Sequence, residues 1–175
     1  RGYQQKKPCA PAMRHRCVEW SCPANFYPDF SVWAENCWGI NVVASMESLI
    51  SDIIINTEDR DQALADLARS YQRTTMRKHT KGGYANVLDE LWIVCKQYNA
   101  DMVLMYDQIS CKRGVFEEQA AARGVHMLWV AQDLLDSRTI SKRDMRRQVN
   151  LYMQTVMGEE PVRPDLVDFD DALTW

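Results

Sequence analysis

Residues 101–107 read Asp-Met-Val-Leu-Met-Tyr-Asp, an unbroken apolar run closed at each end by an aspartate. The run does not alternate, so neither of its faces suits water. A strand buried on both sides is the element such a run makes. Strands of this kind belong to parallel sheets covered by helices, and the flanking sequence supplies the helices. Upstream, Tyr84, Val87, Leu88, Leu91, Trp92, Val94, Cys95 and Tyr98 recur at helical spacing over residues 84–98. Cys95 falls on that stripe and reads as a core residue. Downstream, a helix from about Gly114 to Arg123 ends at Gly124, and "VHMLWVAQ" (125–132) follows as a second buried strand.

Further toward the N-terminus, Arg14–Ser21 alternates loosely and ends in "CPANFYP", a strand followed by a loop. Phe30, Trp33, Ala34, Cys37 and Trp38 mark a helix over 28–38, which Gly39 stops. "INVVAS" (40–45) reads as a short buried strand. "MESLISDIII" continues as a helix with Met46, Leu49, Ile50 and Ile53 on one face. From Glu58 to about Lys78 a surface helix is expected, with Leu64, Leu67, Ala68 and Tyr71 as its apolar stripe. Beyond a loop at 133–140, Ser141 and Asp144 form a capping box. That box opens a last helix whose buried face is Met145, Val149, Tyr152, Met153 and Val156.

Alternation of strands and helices predicts an α/β fold: an open parallel sheet of about four strands in a flavodoxin-like (Rossmann-like) three-layer sandwich. Right-handed crossovers allow the strand order 2-1-3-4. Residues 1–13 form a basic N-terminal arm, 14–157 the α/β domain, and 158–175 an acidic C-terminal tail. Both ends read as solvated arms or docking segments, solvation being the commoner role of charge runs.

With 175 residues, 46% hydrophobic and 26% charged, the chain is long enough for one ordinary core. A net charge of -3 gives no general reason to expect nucleic acid or an acidic membrane surface as partner. No stretch reaches 18 consecutive apolar residues, so no membrane span is expected. Residues 1–16 lack the apolar centre of a secretory signal, and a cytoplasmic protein with reduced thiols is the expectation. The chain starts at Arg1 rather than Met, as expected of a piece of a longer polypeptide.

In an open parallel sheet, ligands bind beyond the carboxyl ends of the strands, where the winding reverses. For the order 2-1-3-4 this switch lies between the first and third strands. Of the six cysteines, Cys22 follows the first strand and Cys111 the third. Lys112, Arg113 and the free N–H groups of the next helix favour a thiolate or another anion beside Cys111. A nucleophilic cysteine needs a histidine base; His15, His79 and His126 are available, and His126 falls within a strand read as buried. Cysteine-dependent hydrolysis is therefore poorly supported. No CxxC pair, GxGxxG or GxxxxGK[ST] occurs. Asp133, Asp136 and Arg138 follow the fourth strand, suited either to loop capping with a local salt bridge or to a subunit or ligand contact.

"GGYANVLDELWIVCKQYNADMVLMYDQISCKRG" (82–114) and "EEQAAARGVHMLWVAQDLLDSRTISKRDMRRQVNLYMQTVM" (117–157) carry a resemblance. Their order of features resembles the carboxyl-terminal domain of the 2-hydroxyacyl-CoA dehydratase and benzoyl-CoA reductase family. The matching positions are Ala100-Asp101, Cys111, Gly124-Val125, Asp133, Asp136, Arg138, Ser141 and Arg146 or Arg147, and the likeness extends loosely over 14–157.

The resemblance implies an oxygen-sensitive iron-sulfur protein. Family subunits hold a 4Fe-4S cluster through three cysteines, one of them at the position of Cys111. An ATP-dependent activator iron-sulfur protein delivers a low-potential electron. Dehydratases pass it to a 2-hydroxyacyl-CoA, whose ketyl radical loses hydroxide; reductases dearomatise a ring. Partners implied are the other dehydratase or reductase subunits, the activator and the acyl-CoA substrate.

The family's amino-terminal domain, which supplies the other two ligands, lies outside these 175 residues, and one cysteine cannot hold such a cluster. Glu19-Trp20-Ser21-Cys22 replaces a more glycine-rich turn, so Cys22 is expected to line the site rather than to match a family ligand. The aromatic side chains Trp20, Phe26, Tyr27, Phe30, Trp33 and Trp38 suit an aryl substrate or, more commonly, a core. A different class of function also fits the residues: a non-catalytic flavodoxin-like domain used for assembly or electron-carrier docking.

Overall fold

The computed structural model of the chain describes residues 12–46, 53–74, 84–107 and 113–168. Strands β1 (His15–Trp20), β2 (Ile40–Ser45), β3 (Met102–Asp107) and β4 (His126–Ala131) form one parallel sheet in the order β2-β1-β3-β4. This is the open flavodoxin-like sheet expected from the alternation of elements. The run at 101–107 is the reason it holds together. Met102 to Tyr106 are all buried, and successive side chains enter opposite faces.

On one face Met102, Leu104 and Tyr106 join Cys17, Leu128 and Val130 against α1 (Phe30–Trp38) and α5 (Lys142–Thr155). On the other, Val103 and Met105 join Val18 and Met127 against α3 (Tyr84–Tyr98) and α4 (Arg113–Arg123). Helix–sheet–helix layering follows directly, because each face of β3 offers only apolar surface. The six aromatic residues of the first segment belong to these layers: Trp20, Tyr27, Phe30, Trp33 and Trp38 are buried, and Phe26 packs against them. Among the described residues no helix is long and apolar enough to cross a membrane.

Local chemistry sets the element ends. α5 opens on the expected capping box: the Ser141 side chain accepts from the Asp144 amide, and the Asp144 carboxylate accepts from the Ser141 amide. α1 ends at Gly39, which adopts φ 74° and sends its N–H back to Glu35.

Several expectations change. In α2 (Arg60–Gln72) the stripe Leu64, Leu67, Ala68 and Tyr71 faces outward, Leu64 being 56% and Tyr71 67% exposed. The buried residue is Asp66, which accepts from the Asn56 amide, Gln62 and Arg69. Polar anchoring rather than apolar burial orients this helix, and no residue of it joins either core cluster. The helix expected through "MESLISDIII" lies partly outside the described residues, and 53–57 are not helical. Val156, the residue that caps α5, is exposed. His126 is exposed, because it stands at the first position of an edge strand rather than inside it.

The acidic segment read as a solvated arm is laid over α1 as far as it is described. The Val162 amide donates to the Cys37 carbonyl at 2.8 Å, and the Trp33 indole N–H donates to the Leu166 carbonyl at 2.9 Å. Leu166 and Val167 reach the core beneath. Apolar side chains interspersed among the carboxylates account for the difference.

A methyl group added at Gly39 would meet the Ala12 carbonyl oxygen and crowd the Arg14 amide, whereas at Gly124, also left-handed, it would meet open space. Gly39→Ala is therefore expected to destabilise the chain by about 3 kcal/mol and Gly124→Ala by about 1 kcal/mol. Urea midpoints measure both; equal shifts would show that the Ala12 contact has no weight.

Candidate functional site

β1 lies inside the sheet with β2 on one side and β3 on the other, so the winding reverses between β1 and β3. Glu19 and Trp20 end β1 beside Leu104 and Met105 of β3. The chain then turns at Ser21, which takes φ 91°, a conformation ordinarily left to glycine. The turn after β1 is thus a sharp one built on a serine, and it sits at the reversal.

Buried polar groups gather on this carboxyl edge. Tyr106 donates its hydroxyl to the Glu19 carboxylate at 2.7 Å, linking β3 to β1. Burial first, then the Glu19 charge, pushes the Tyr106 hydroxyl far above its ordinary pKa, so it stays a donor at any working pH. Gln132, just after β4, donates to the Cys22 carbonyl at 2.7 Å, and the Asn25 amide donates to the Leu134 carbonyl at 2.9 Å. Because β3 separates β1 from β4, these two bonds carry the loop after β1 across the end of β3. Below that bridge the Arg146 guanidinium, 2% exposed, donates to the Tyr27 hydroxyl at 3.0 Å. Lys142 stands over the same ring, 5.3 Å from its centre. The Gln132 side-chain oxygen is buried and, among the described residues, has no hydrogen-bond partner. An amide flip would set that oxygen against the Cys22 carbonyl, so the acceptor stays open to a donor from outside the described residues.

Cys22 is therefore where the sequence places it, half-buried on the carboxyl edge. Cys111 lies outside the described residues, as do Cys9 and His79. Cys17, Cys37 and Cys95 are buried. Burial pushes the Cys37 thiol up to about 11 and the Cys95 thiol to about 12. His15 and His126 both stand at the amino ends of their strands, opposite Cys22, and neither can act as its base. Asp133 accepts from the Leu135 and Asp136 amides, and Asp136 holds Arg138 at 2.8 Å. Loop capping and a local salt bridge account for all three. Gln132 and the Glu19–Tyr106 pair were not singled out in the sequence. Their signal was only position, a polar residue at the last step of an apolar strand.

On the opposite, amino edge a cleft of about 860 Å³ lies between the C-terminal ends of α3 and α4. Its two arginines serve those helix ends. Arg123 caps the Gln119 carbonyl and lies 5.0 Å from the Trp92 ring centre, while Arg16 Nε donates to the Tyr98 carbonyl.

Among the described residues no three His, Cys, Asp or Glu side chains come together as a metal-ligand set. Compared with family models, with curated proteins and with solved structures, the chain matches none.

Accessibility and thiol ionisation together order the cysteines. Treated with a maleimide near pH 8, the native chain is expected to react at Cys22 at least about tenfold faster than at Cys17, Cys37 or Cys95. Peptide mapping of the label checks this, and comparable labelling of Cys37 would contradict the packing of the 159–168 segment.

Proposed function

We propose that the chain is the carboxyl-terminal domain of an iron-sulfur subunit in a 2-hydroxyacyl-CoA dehydratase or benzoyl-CoA reductase-type complex. The complex would act in the cytoplasm by low-potential electron transfer to an acyl-CoA. The observation that carries the reading is the strand order: it sets the half-buried Cys22 and the carboxyl end of β3, which precedes Cys111 in the sequence, on one edge at the reversal of winding. The resemblance of residues 82–157 supports it.

The donor chemistry suits the cofactor in part. Thiolates are the ligands of iron-sulfur clusters, and such a cluster takes more than one. Cys111 would hold one iron, Cys22 would line the site, and the remaining thiolates would come from outside this chain. Bound there, a 4Fe-4S cluster supplies one-electron transfer at low potential. The chain's own residues do the rest. The Gln132–Cys22 and Asn25–Leu134 bonds hold the loops together over the end of β3. The buried Gln132 oxygen offers an acceptor to an N–H or O–H of the bound thioester. Lys142 and Arg146 place positive charge beneath the same edge, where an anionic ligand would gain from it.

Purified anaerobically with its partner subunits, the complex is expected to show iron-sulfur absorption and EPR signals that are lost or altered in Cys111→Ala. Acyl-CoA is expected to slow thiol labelling at Cys22 and Cys111. Signals unchanged in Cys111→Ala would sink the ligand assignment. A complex with no iron-sulfur signal at all would leave a non-catalytic assembly or electron-carrier docking domain.

A further inference from the structure

At the amino edge of the sheet, opposite the candidate site, His15 lies buried between two carboxylates. Its Nδ1 is 2.9 Å from an Asp101 oxygen and its Nε2 is 2.9 Å from a Glu159 oxygen. A neutral imidazole has a single N–H; only the imidazolium donates to both. The two carboxylates belong to different parts of the fold. Asp101 leads into β3, and its second oxygen accepts from the Arg16 amide at 2.7 Å, which fixes it to the sheet. Glu159 begins the strap over α1, just beyond the end of α5, its amide donating to the Met153 carbonyl at 3.0 Å.

We infer that His15 is a proton-operated latch: the imidazolium ties the near end of the 159–168 strap to the sheet, and loss of its proton releases that end. The neutral ring keeps its proton toward Asp101, which the Arg16 amide holds in place. Nε2 then presents a lone pair to the Glu159 carboxylate, and the contact changes from attractive to repulsive. The far end of the strap stays attached through Leu166 on Trp33 and Val167 on Asn150. Release is therefore a local lifting of the strap beside β1, not unfolding.

The charged surroundings fix the direction. Arg14, in the lead-in to β1, is 3.4 Å from Glu159 and also donates to the Glu160 carbonyl, so it retains a weak hold in either state. Arg16 turns its side chain to the Tyr98 carbonyl. From β4, His126 contributes its amide to the Asp101 carbonyl, and its exposed ring is not part of the latch. Burial, the largest influence on His15, lowers its pKa. Hydrogen bonds and charge from Asp101 and then Glu159 outweigh it, leaving the net value raised. A group raised on folding contributes stability in full below its unfolded pKa, about 6.5, and loses it as pH climbs through the folded value. The latch is closed in mild acid and opens toward alkaline pH.

Proton–nitrogen NMR of the full chain from about pH 5.5 to about pH 9 tests this. The His15 ring and the Glu159 and Val162 amides are expected to titrate together, with a midpoint above that of an unfolded histidine. Val162 amide protection should fall about tenfold across the same step. In Glu159→Gln the neutral amide pairs with either form of the ring, so the Val162 response should vanish and the His15 midpoint should drop. His126→Gln should change neither. A Val162 response that persists in Glu159→Gln, or a His15 titration that leaves both amides unmoved, would overturn the latch.

Discussion

The sheet depends on β3 being withdrawn from water on both faces. Met102 to Tyr106 bury five consecutive large side chains, each about 1.5–3 kcal/mol more favourable inside than out. Their sum is of the order of a domain's entire net stability. A strand of this kind can only be central, and it therefore needs a neighbour on each side and a helix layer on each face. β1 and β4 supply the neighbours; the α1/α5 and α3/α4 pairs supply the layers. The reversal of winding beside β1 follows from that placement, and with it the position of the candidate site.

The two edges of this sheet do different work. At the carboxyl edge, backbone carbonyls and amides of the loops after β1 and β4 meet over the end of β3, and buried polar atoms collect around Cys22. At the amino edge, arginines and carboxylates cap helix ends and tie down the C-terminal segment. Charge is thus spent on architecture at the amino edge, while the buried Gln132 oxygen lies beside the loop after β1 at the carboxyl edge.

Strong periodicity made most of this fold legible. The α3 stripe, the apolar runs of β2, β3 and β4, and the Ser141–Asp144 box each state a local preference that packing reinforces. What escaped was set by long-range polar contacts. Nothing local distinguishes the buried Asp66 from the exposed Leu64 in α2, because the deciding bond comes from the Asn56 amide in another segment. Glu159 looked like one more solvated carboxylate until His15, distant in sequence, was placed against it. The site was legible to the same extent: the topology put Cys22 on the carboxyl edge, where the structure has it, while the groups around it come from β3, the loop after β4 and α5 and have no common motif.

The place of β3 also orders events on the ribosome. The β1–α1–β2 unit is complete at Ser45, yet the second neighbour of β1 is not made until residue 107. At about 5–20 residues per second, the nascent chain spends on the order of several seconds with one side of β1 lacking its ladder. An unpaired apolar strand edge is a template for pairing with another chain. Vectorial synthesis thus makes the β1–α1–β2 segment an aggregation-prone intermediate, and the arrival of Met102–Asp107 is the step that ends the exposure.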